Sequence, residues 1–149
     1  MMLRFHKMNQ TDLSRSDWEQ EPLAALLPDG KEYLTRRLAA GDTLFIMYDG
    51  EKPVGLLEMD AEPVGEKPKC AYVGLVVLLP EYRRHGLGRM LMCLAAGEAV
   101  ERQLWFLAGT VPETEEAEGF AKAIHMRKTE WFSDLHVLDL SDVEGLRHG

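Results

Sequence analysis

The chain has 149 residues, of which 46% are hydrophobic and 28% charged, and its net charge at neutral pH is −8. That length fits a single domain, 1–149, with one substantial core, and the composition is that of a globular chain. No run of about 18 apolar residues is present to span a membrane, the N-terminal stretch MMLRFHKMNQ has no signal-peptide core, and the acidic balance opposes non-specific binding to nucleic acid.

A cytoplasmic location is the expectation. Cys70 and Cys93 make no disulfide framework and sit in no metal-type CxxC, so they read as reduced residues in or near the core. The acidity suits a cationic small molecule or basic peptide as partner, because it concentrates cations near the surface; solubility alone explains it equally well.

In chain order, residues 2–8 alternate weakly and predict a first strand. A helix capped by Thr11 or Asp12 is expected to run to about residue 27, with Leu13, Trp18, Leu23, Leu26 and Leu27 on its apolar side and Pro22 breaking or kinking it. Pro28-Asp29-Gly30 is a turn. A second helix over 31–40 has Tyr33, Leu34 and Leu38 at helical spacing and is closed by Gly41. Residues 43–48 (TLFIMY) predict a strand, and Asp49-Gly50 a tight hairpin, so the strand over 53–60 runs antiparallel to it. Two prolines and a glycine make 62–69 a loop. Residues 70–79 form the longest strand, almost wholly apolar, which predicts a central position covered on both faces.

A helix then begins near residue 87. Leu87, Leu91, Leu94, Ala95 and Glu98 share one face and Met90, Cys93 and Ala96 the other, so it is largely buried. Residues 104–110 (LWFLAGT) predict a strand. Glu113, Glu115, Glu116 and Glu118 load the first turns of another helix, where negative charge suits the helix dipole. A short strand near Arg127 and a longer one over 131–140 end the pattern. The class is α/β: a mixed central sheet of six or seven strands with helices on both faces.

The stretch 75–92, LVVLLPEYRRHGLGRMLM, carries the chemistry. An apolar strand ends at Pro80, a basic glycine-bearing loop follows, and a helix begins. Unpaired amides at a helix start and the positive end of its dipole bind phosphate, and Arg83, Arg84, His85 and Arg89 add charge or donors there. A Walker A loop would need Lys and Ser or Thr after Gly88, where Arg89 and Met90 stand. A dinucleotide fingerprint would need glycine where Leu91 stands.

The segment Arg83-Arg84-His85-Gly86-Leu87-Gly88 matches [Q/R]-x-x-G-x-[G/A], within V-V-L-x-P-E-Y-R-R-x-G-L-G-R-x-L. It resembles the coenzyme A loop of the Gcn5-related N-acetyltransferases, and the element order over nearly the whole chain resembles that family's fold. The resemblance implies acetyl-CoA as acyl donor and no metal. The amides from Arg84 to Arg89 would hold the pyrophosphate, with Gly86 and Gly88 leaving room for the oxygens and Leu87 between them. Val76, Val77 and Leu78 would pair strand-like with the pantetheine amides, on a strand that is bulged and splayed from its neighbour. The backbone N–H near Leu78 would stabilise the oxyanion. Arg83 and Arg89 have an alternative as surface charges paired with Glu81 or other acids.

The reaction implied is direct attack of an amine, which an acidic protein would favour as a cation, on the thioester in a ternary complex. The family's acid is a tyrosine in N-x-x-A-x-x-L-Y followed by G-F. Laid on this chain, that pattern gives Thr114, Ala117, Phe120 and Ala121, with His125-Met126 for Gly-Phe, and no tyrosine follows Tyr82. Tyr72, on the central strand, is a candidate catalytic residue, with a core or cleft-wall aromatic as its alternative. Glu58 is a candidate base or cation-binding group, with solvent-facing strand polarity as its alternative. His125 and His136 titrate in a useful range, but a lone histidine is usually structural. Homodimers are common in the family and nothing in the sequence fixes the oligomeric state. A rival reading is an acyl-CoA-binding sensor or partner module of the same fold with little catalysis.

Overall fold

The computed structural model describes residues 1–15, 17–60, 70–110, 114–129 and 132–140. The predicted loop over 62–69 and Glu113 lie outside them. Among the described residues no helix is long and apolar enough to cross a membrane.

A seven-stranded mixed sheet forms the centre, in the order β1-β2-β3-β4-β5-β7-β6. Its strands are β1 (Leu3–Lys7), β2 (Thr43–Asp49), β3 (Lys52–Met59), β4 (Cys70–Leu78), β5 (Phe106–Gly109), β6 (Arg127–Thr129) and β7 (Phe132–Asp139). Short connections make antiparallel neighbours, as at the Asp49-Gly50 turn, where Gly50 takes φ 61°. The β4–β5 pair is parallel, because α3 (Leu87–Glu101) crosses over between the two strands. The remaining helices are α1 (Gln10–Arg15), α2 (Lys31–Ala39) and α4 (Glu115–Ala123).

Helices cover both faces. A side chain at Gly55 of β3 would point at Leu91 of α3, whereas Glu58, of opposite parity on the same strand, meets Tyr33 of α2. The core between these layers is dense, with Ile46, Leu56, Leu57, Leu91, Ala95 and Ala96 fully buried.

The first helix is much shorter than its pattern suggests. Asn9 caps it, its Oδ1 accepting from the amides of Thr11 (2.9 Å) and Asp12 (3.3 Å). Asp12 is not the cap, because its buried carboxylate is held by the Tyr48 hydroxyl, His6 and the Asn9 amide, each at 2.9 Å. Burial alone would raise that carboxyl, but these donors outweigh it and leave it below the usual carboxylate range. The chain then turns inward at Trp18, which is 1% exposed and donates to the Asp12 carbonyl. Pro22–Leu26 is a separate 3-10 turn, not a continuation of α1.

The second correction concerns β4. It is the central strand, as its apolar run predicts, but it is not covered throughout. Cys70, Ala71 and Val73 are buried, Gly74 is exposed, and Leu75 to Leu78 are half-buried. The reason lies in the pairing. β4 meets β5 only over Cys70–Val73, opposite Phe106–Gly109. Among the described residues, no strand lies beside that edge of β4 beyond Val73.

Candidate functional site

Two features open β4 away from β5. On the β3 side the register jumps: Glu58 faces Leu75, yet Met59 faces Val73. Gly74 is the extra residue, a β-bulge that bends the strand. On the other side β5 ends at Gly109. The gap is a cleft of about 700 Å³, lined by Val73 to Leu78, the loop residues Arg83, Arg84 and Gly86, Leu87 to Arg89 of α3, and Phe120, Ala121 and Ile124 around α4.

The ladder fixes which way the β4 amides point. The Leu79 N–H donates to the Val54 carbonyl of β3. By alternation, the amides of Leu78 and Val76 face the opposite edge, into the cleft. The Leu78 carbonyl on that edge accepts from Arg83 Nε at 3.2 Å. Val76 shares the property expected of Leu78 and stands nearer the bulge.

At the far end of the cleft lies the loop. Gly86 is the N-cap residue of α3, in the left-handed region at φ 76°, and no side chain caps the helix. The first helical bond runs from Met90 N to Gly86 O, so the amides of Leu87, Gly88 and Arg89 have no acceptor in the helix. Arg84 also takes a positive φ, 64°, an uncommon conformation for a side-chain-bearing residue. A Cβ on Gly86 would meet nothing within 4 Å, whereas one on Gly88 would sit 3.1 Å from the Phe120 ring. Gly86 thus leaves open room beside the free amides. Gly88 lets α4 pack against α3.

Glu81 pairs with Lys52 at 3.5 Å, not with Arg83 or Arg89. Among the described residues no acid neutralises Arg84 or Arg89. Free amides, a helix start and uncompensated cations suit a pyrophosphate, so the residues present fit a nucleotide-type group at this end. His85 is exposed and does not line the cleft.

Thr114 is the N-cap of α4, its side chain accepting from Ala117 N at 3.1 Å. This cap anchors the helix so that Ala121, 3% exposed, lies in the cleft wall. No hydroxyl stands there. Tyr72 is half-buried and its hydroxyl is 2.8 Å from the Thr110 hydroxyl. Thr110 lines the cleft and Tyr72 does not. His125 is exposed, His136 is half-buried, and neither reaches the cleft.

Glu58 does not face solvent. It is 2% exposed and lies against the bulge: a Cβ on Gly74 would fall 2.3 Å from its Oε2. The Tyr33 hydroxyl donates to that oxygen at 3.4 Å. Burial, and then the neighbouring carboxyls of Asp42 and Asp60, push the Glu58 carboxyl up to about 8. Burial and the neighbouring Glu58 push the Tyr33 phenol above its ordinary value. The sequence reading found Glu58 but missed Asp42 and Asp60, which look like turn residues. It also passed over Gly74, although a glycine inside an apolar strand is a bulge signal.

The acetyltransferase (GNAT) family model matches residues 6–126. Among solved structures, a point mutant of the AtaT toxin bound to the C-terminus of the antitoxin AtaR aligns with a TM-score of 0.73 at 15% identity, covering 99% of this chain and 98% of that one. The same mutant with the AtaR C-terminus and acetyl-CoA gives 0.71 at 15% identity, with 100% of each chain covered. The PaiA N-acetyltransferase of Thermoplasma acidophilum, in complex with coenzyme A, gives 0.67 at 13% identity over 92% of this chain and 97% of that one. At such identities the likeness is one of fold. No curated protein matches the chain in sequence.

Proposed function

The chain belongs to the acetyltransferase (GNAT) family, and on that premise we propose that it moves the acetyl group of acetyl-CoA to a primary amine by direct attack in a ternary complex. The observation that carries the reading is the cleft between β4 and β5, running from the bulge at Gly74 to the uncapped start of α3. A strand edge with free amides at one end and an anion cradle at the other suits a molecule with amides in the middle and phosphates at its end.

In this reading the amides of Leu87, Gly88 and Arg89 hold the pyrophosphate, and Arg84 and Arg89 supply positive charge. The edge of β4 from Val76 to Leu78 pairs with the pantetheine amides. The bound donor supplies an activated thioester carbonyl. The backbone N–H of Val76 or Leu78 stabilises negative charge that develops on its oxygen. Glu58, behind Gly74, takes a proton from the incoming ammonium, and its raised proton affinity suits that task near neutral pH. Tyr72 orients the Thr110 hydroxyl at the cleft end. Ala121 gives the departing sulfur no proton. A thiol's ordinary pKa near 8.5 makes the thiolate a serviceable leaving group, so turnover needs no acid there, though it proceeds without the factor of about 10²–10⁴ that such an acid contributes. A net charge of −8 supports a small amine over a nucleic acid as acceptor.

The test is thiol release from acetyl-CoA across a panel of amines, with coenzyme A binding measured by calorimetry. Release with at least one amine supports the reading. Ala121 in the apolar wall favours a second reading, an acyl-CoA-binding module that does not turn over. Tight coenzyme A binding with no release from any amine would select that one, and no binding at all would overturn both.

A further inference from the structure

Asp42, Glu58 and Asp60 each bring a carboxylate oxygen to within 4.8 Å of the others. Like charges so close in a half-dry place repel, yet the fold holds them firmly. Arg102, at the end of α3, donates to the Asp60 carbonyl, to Glu98 and to the Thr43 hydroxyl. It therefore clamps the start of β2 and the end of β3, beside Asp42 and Asp60. Arg37 of α2 lies 3.5 Å from Asp42 Oδ2, and Tyr33 donates to Glu58 Oε2.

One acceptor is left over. Glu58 is 2% exposed, and among the described residues its Oε1 has no hydrogen-bond partner. A buried acceptor without a donor costs about 1–3 kcal/mol, and native structures rarely leave one unless a proton, water or ligand supplies the missing bond. Asp42, whose side chain is 6% exposed, and the half-buried Asp60 lie beside it. The other neighbour is Gly74, which lines the cleft. Its missing side chain is what lets the carboxylate lie directly against the strand. None of the three acids lines the cleft itself; among the described residues it is Gly74 that lies between the Glu58 carboxyl and the place where β4 and β5 part.

Resting on the acetyltransferase reading, we propose that the Asp42–Glu58–Asp60 cluster is the acceptor subsite, and that the acceptor is a cationic aliphatic primary amine with no carboxylate beside its amino group. An alkylammonium offers three N–H donors and a charge to the carboxylates. An amino acid would bring its own carboxylate against them. An arylamine, uncharged at neutral pH, offers no compensation.

The protons balance. The bound ammonium replaces the proton that Glu58 carries without it, then gives one proton to the Glu58 carboxylate. The nitrogen lone pair forms the C–N bond, and the C–S bond breaks with its electron pair leaving on sulfur. The second proton lost by nitrogen ends on the thiol, and Glu58 keeps the first, which restores the protonated state it has without the ammonium; the one proton released overall is the one displaced on binding. Among the described residues, the groups facing Glu58 are Tyr33 and Arg37 of α2, Asp42 ahead of β2, Asp60 after β3, and the Tyr72 ring beside Gly74.

The experiment titrates n-butylamine, 1,4-diaminobutane, aniline and alanine calorimetrically into the coenzyme A-loaded protein and its Asp60→Asn and Glu58→Gln variants, at pH 7 in buffers of different ionisation enthalpy. The alkylamines are expected to bind with proton release and aniline and alanine at least about tenfold more weakly. Each variant should lose at least about tenfold in alkylamine affinity with coenzyme A affinity unchanged, and Glu58→Gln should also lose the proton release. Equal binding of alanine or aniline, alkylamine affinity unmoved in both variants, or binding of calcium or magnesium chloride with no alkylamine binding would each overturn the proposal. Thiol release keeps the two readings apart: release that ignores these carboxylates sinks the subsite alone, while alkylamine binding without release sinks the transferase.

Discussion

Glu58→Gln should change how stability depends on pH. The Glu58 carboxyl is pushed from its ordinary 4.5 to about 8, first by burial and then by Asp42 and Asp60. The folded protein therefore keeps a proton that the unfolded chain releases at lower pH. Below about 4.5 both states hold it and the full stability is present. Between there and about 8 the unfolded state holds fewer protons, so stability falls as pH rises, by up to about 1.4 kcal/mol per pH unit. Summed over that window the loss approaches ~5 kcal/mol, a large share of a small domain's stability. Glutamine keeps the shape, cannot ionise, and places an NH₂ toward Asp42 or Asp60. Urea denaturation at intervals from pH 5 to 9 should show wild type losing stability by several kcal/mol while the variant changes little, so that the variant is the more stable at pH 9. The opposing carboxyls do not blur the window. Asp12, Asp49 and Glu98 lie below their ordinary values, so their contributions are lost only as pH falls through the acid range. Parallel curves for the two proteins would refute the account of a buried, proton-holding Glu58.

The cleft yields three further expectations. Gly86→Asp and Gly86→Asn both accept the left-handed backbone and both have open space, but only aspartate faces the phosphates with a charge. A unit charge about 5 Å away at an effective dielectric near 20 costs about 3 kcal/mol, so calorimetry should show coenzyme A affinity falling about 100-fold for Asp and far less for Asn, and equal losses would dismiss the anion cradle. Gly74→Ala puts a Cβ where Glu58 Oε2 lies; it should lower thermal stability by about 1–3 kcal/mol and slow acetyl transfer with coenzyme A affinity unchanged, an outcome that normal turnover would contradict. Ala121→Tyr adds a phenol to the cleft wall and should raise kcat by about tenfold or more if thiolate protonation limits the rate; an unchanged kcat with intact donor binding would show that it does not.

The loop was readable because its chemistry is local. A positive φ at Gly86, a helix starting at Leu87 and the free amides between them are properties of contiguous residues, and a sequence pattern records contiguous residues well. The hairpin at Gly50 was legible for the same reason. The first helix was misread because tertiary contacts overruled a local rule: Asp12 has a capping side chain, but Tyr48 and His6 claim it, and Asn9 caps instead. The apolar run of β4 misled in another way. Hydrophobicity reports that water is excluded, not what excludes it. Cys70, Ala71 and Val73 are covered by protein, while Val76 to Leu78 line a cleft shaped for another molecule.

The carboxyl cluster shows the limit most plainly. Asp42, Glu58 and Asp60 come together through the β2–β3 register, which sets Thr43 opposite Met59, and through Arg102 holding the two strand ends. No single segment carries that information, and each acid alone reads as ordinary turn or strand polarity. Both halves of the site nevertheless depend on one residue. Gly74 adds the extra position that turns β4 away from β5 and so opens the side where the free amides lie. Its missing side chain also brings the Glu58 carboxyl against the back of the same strand. Removing the bulge would re-register β4, closing the cleft on one side and separating it from the carboxylates on the other. Placing any side chain there keeps the cleft but displaces Glu58. The two failures are distinguishable, since deletion of Gly74 should abolish coenzyme A binding whereas Gly74→Ala should spare it. A deletion that keeps coenzyme A affinity would mean that β4 and β5 part for some reason other than the bulge.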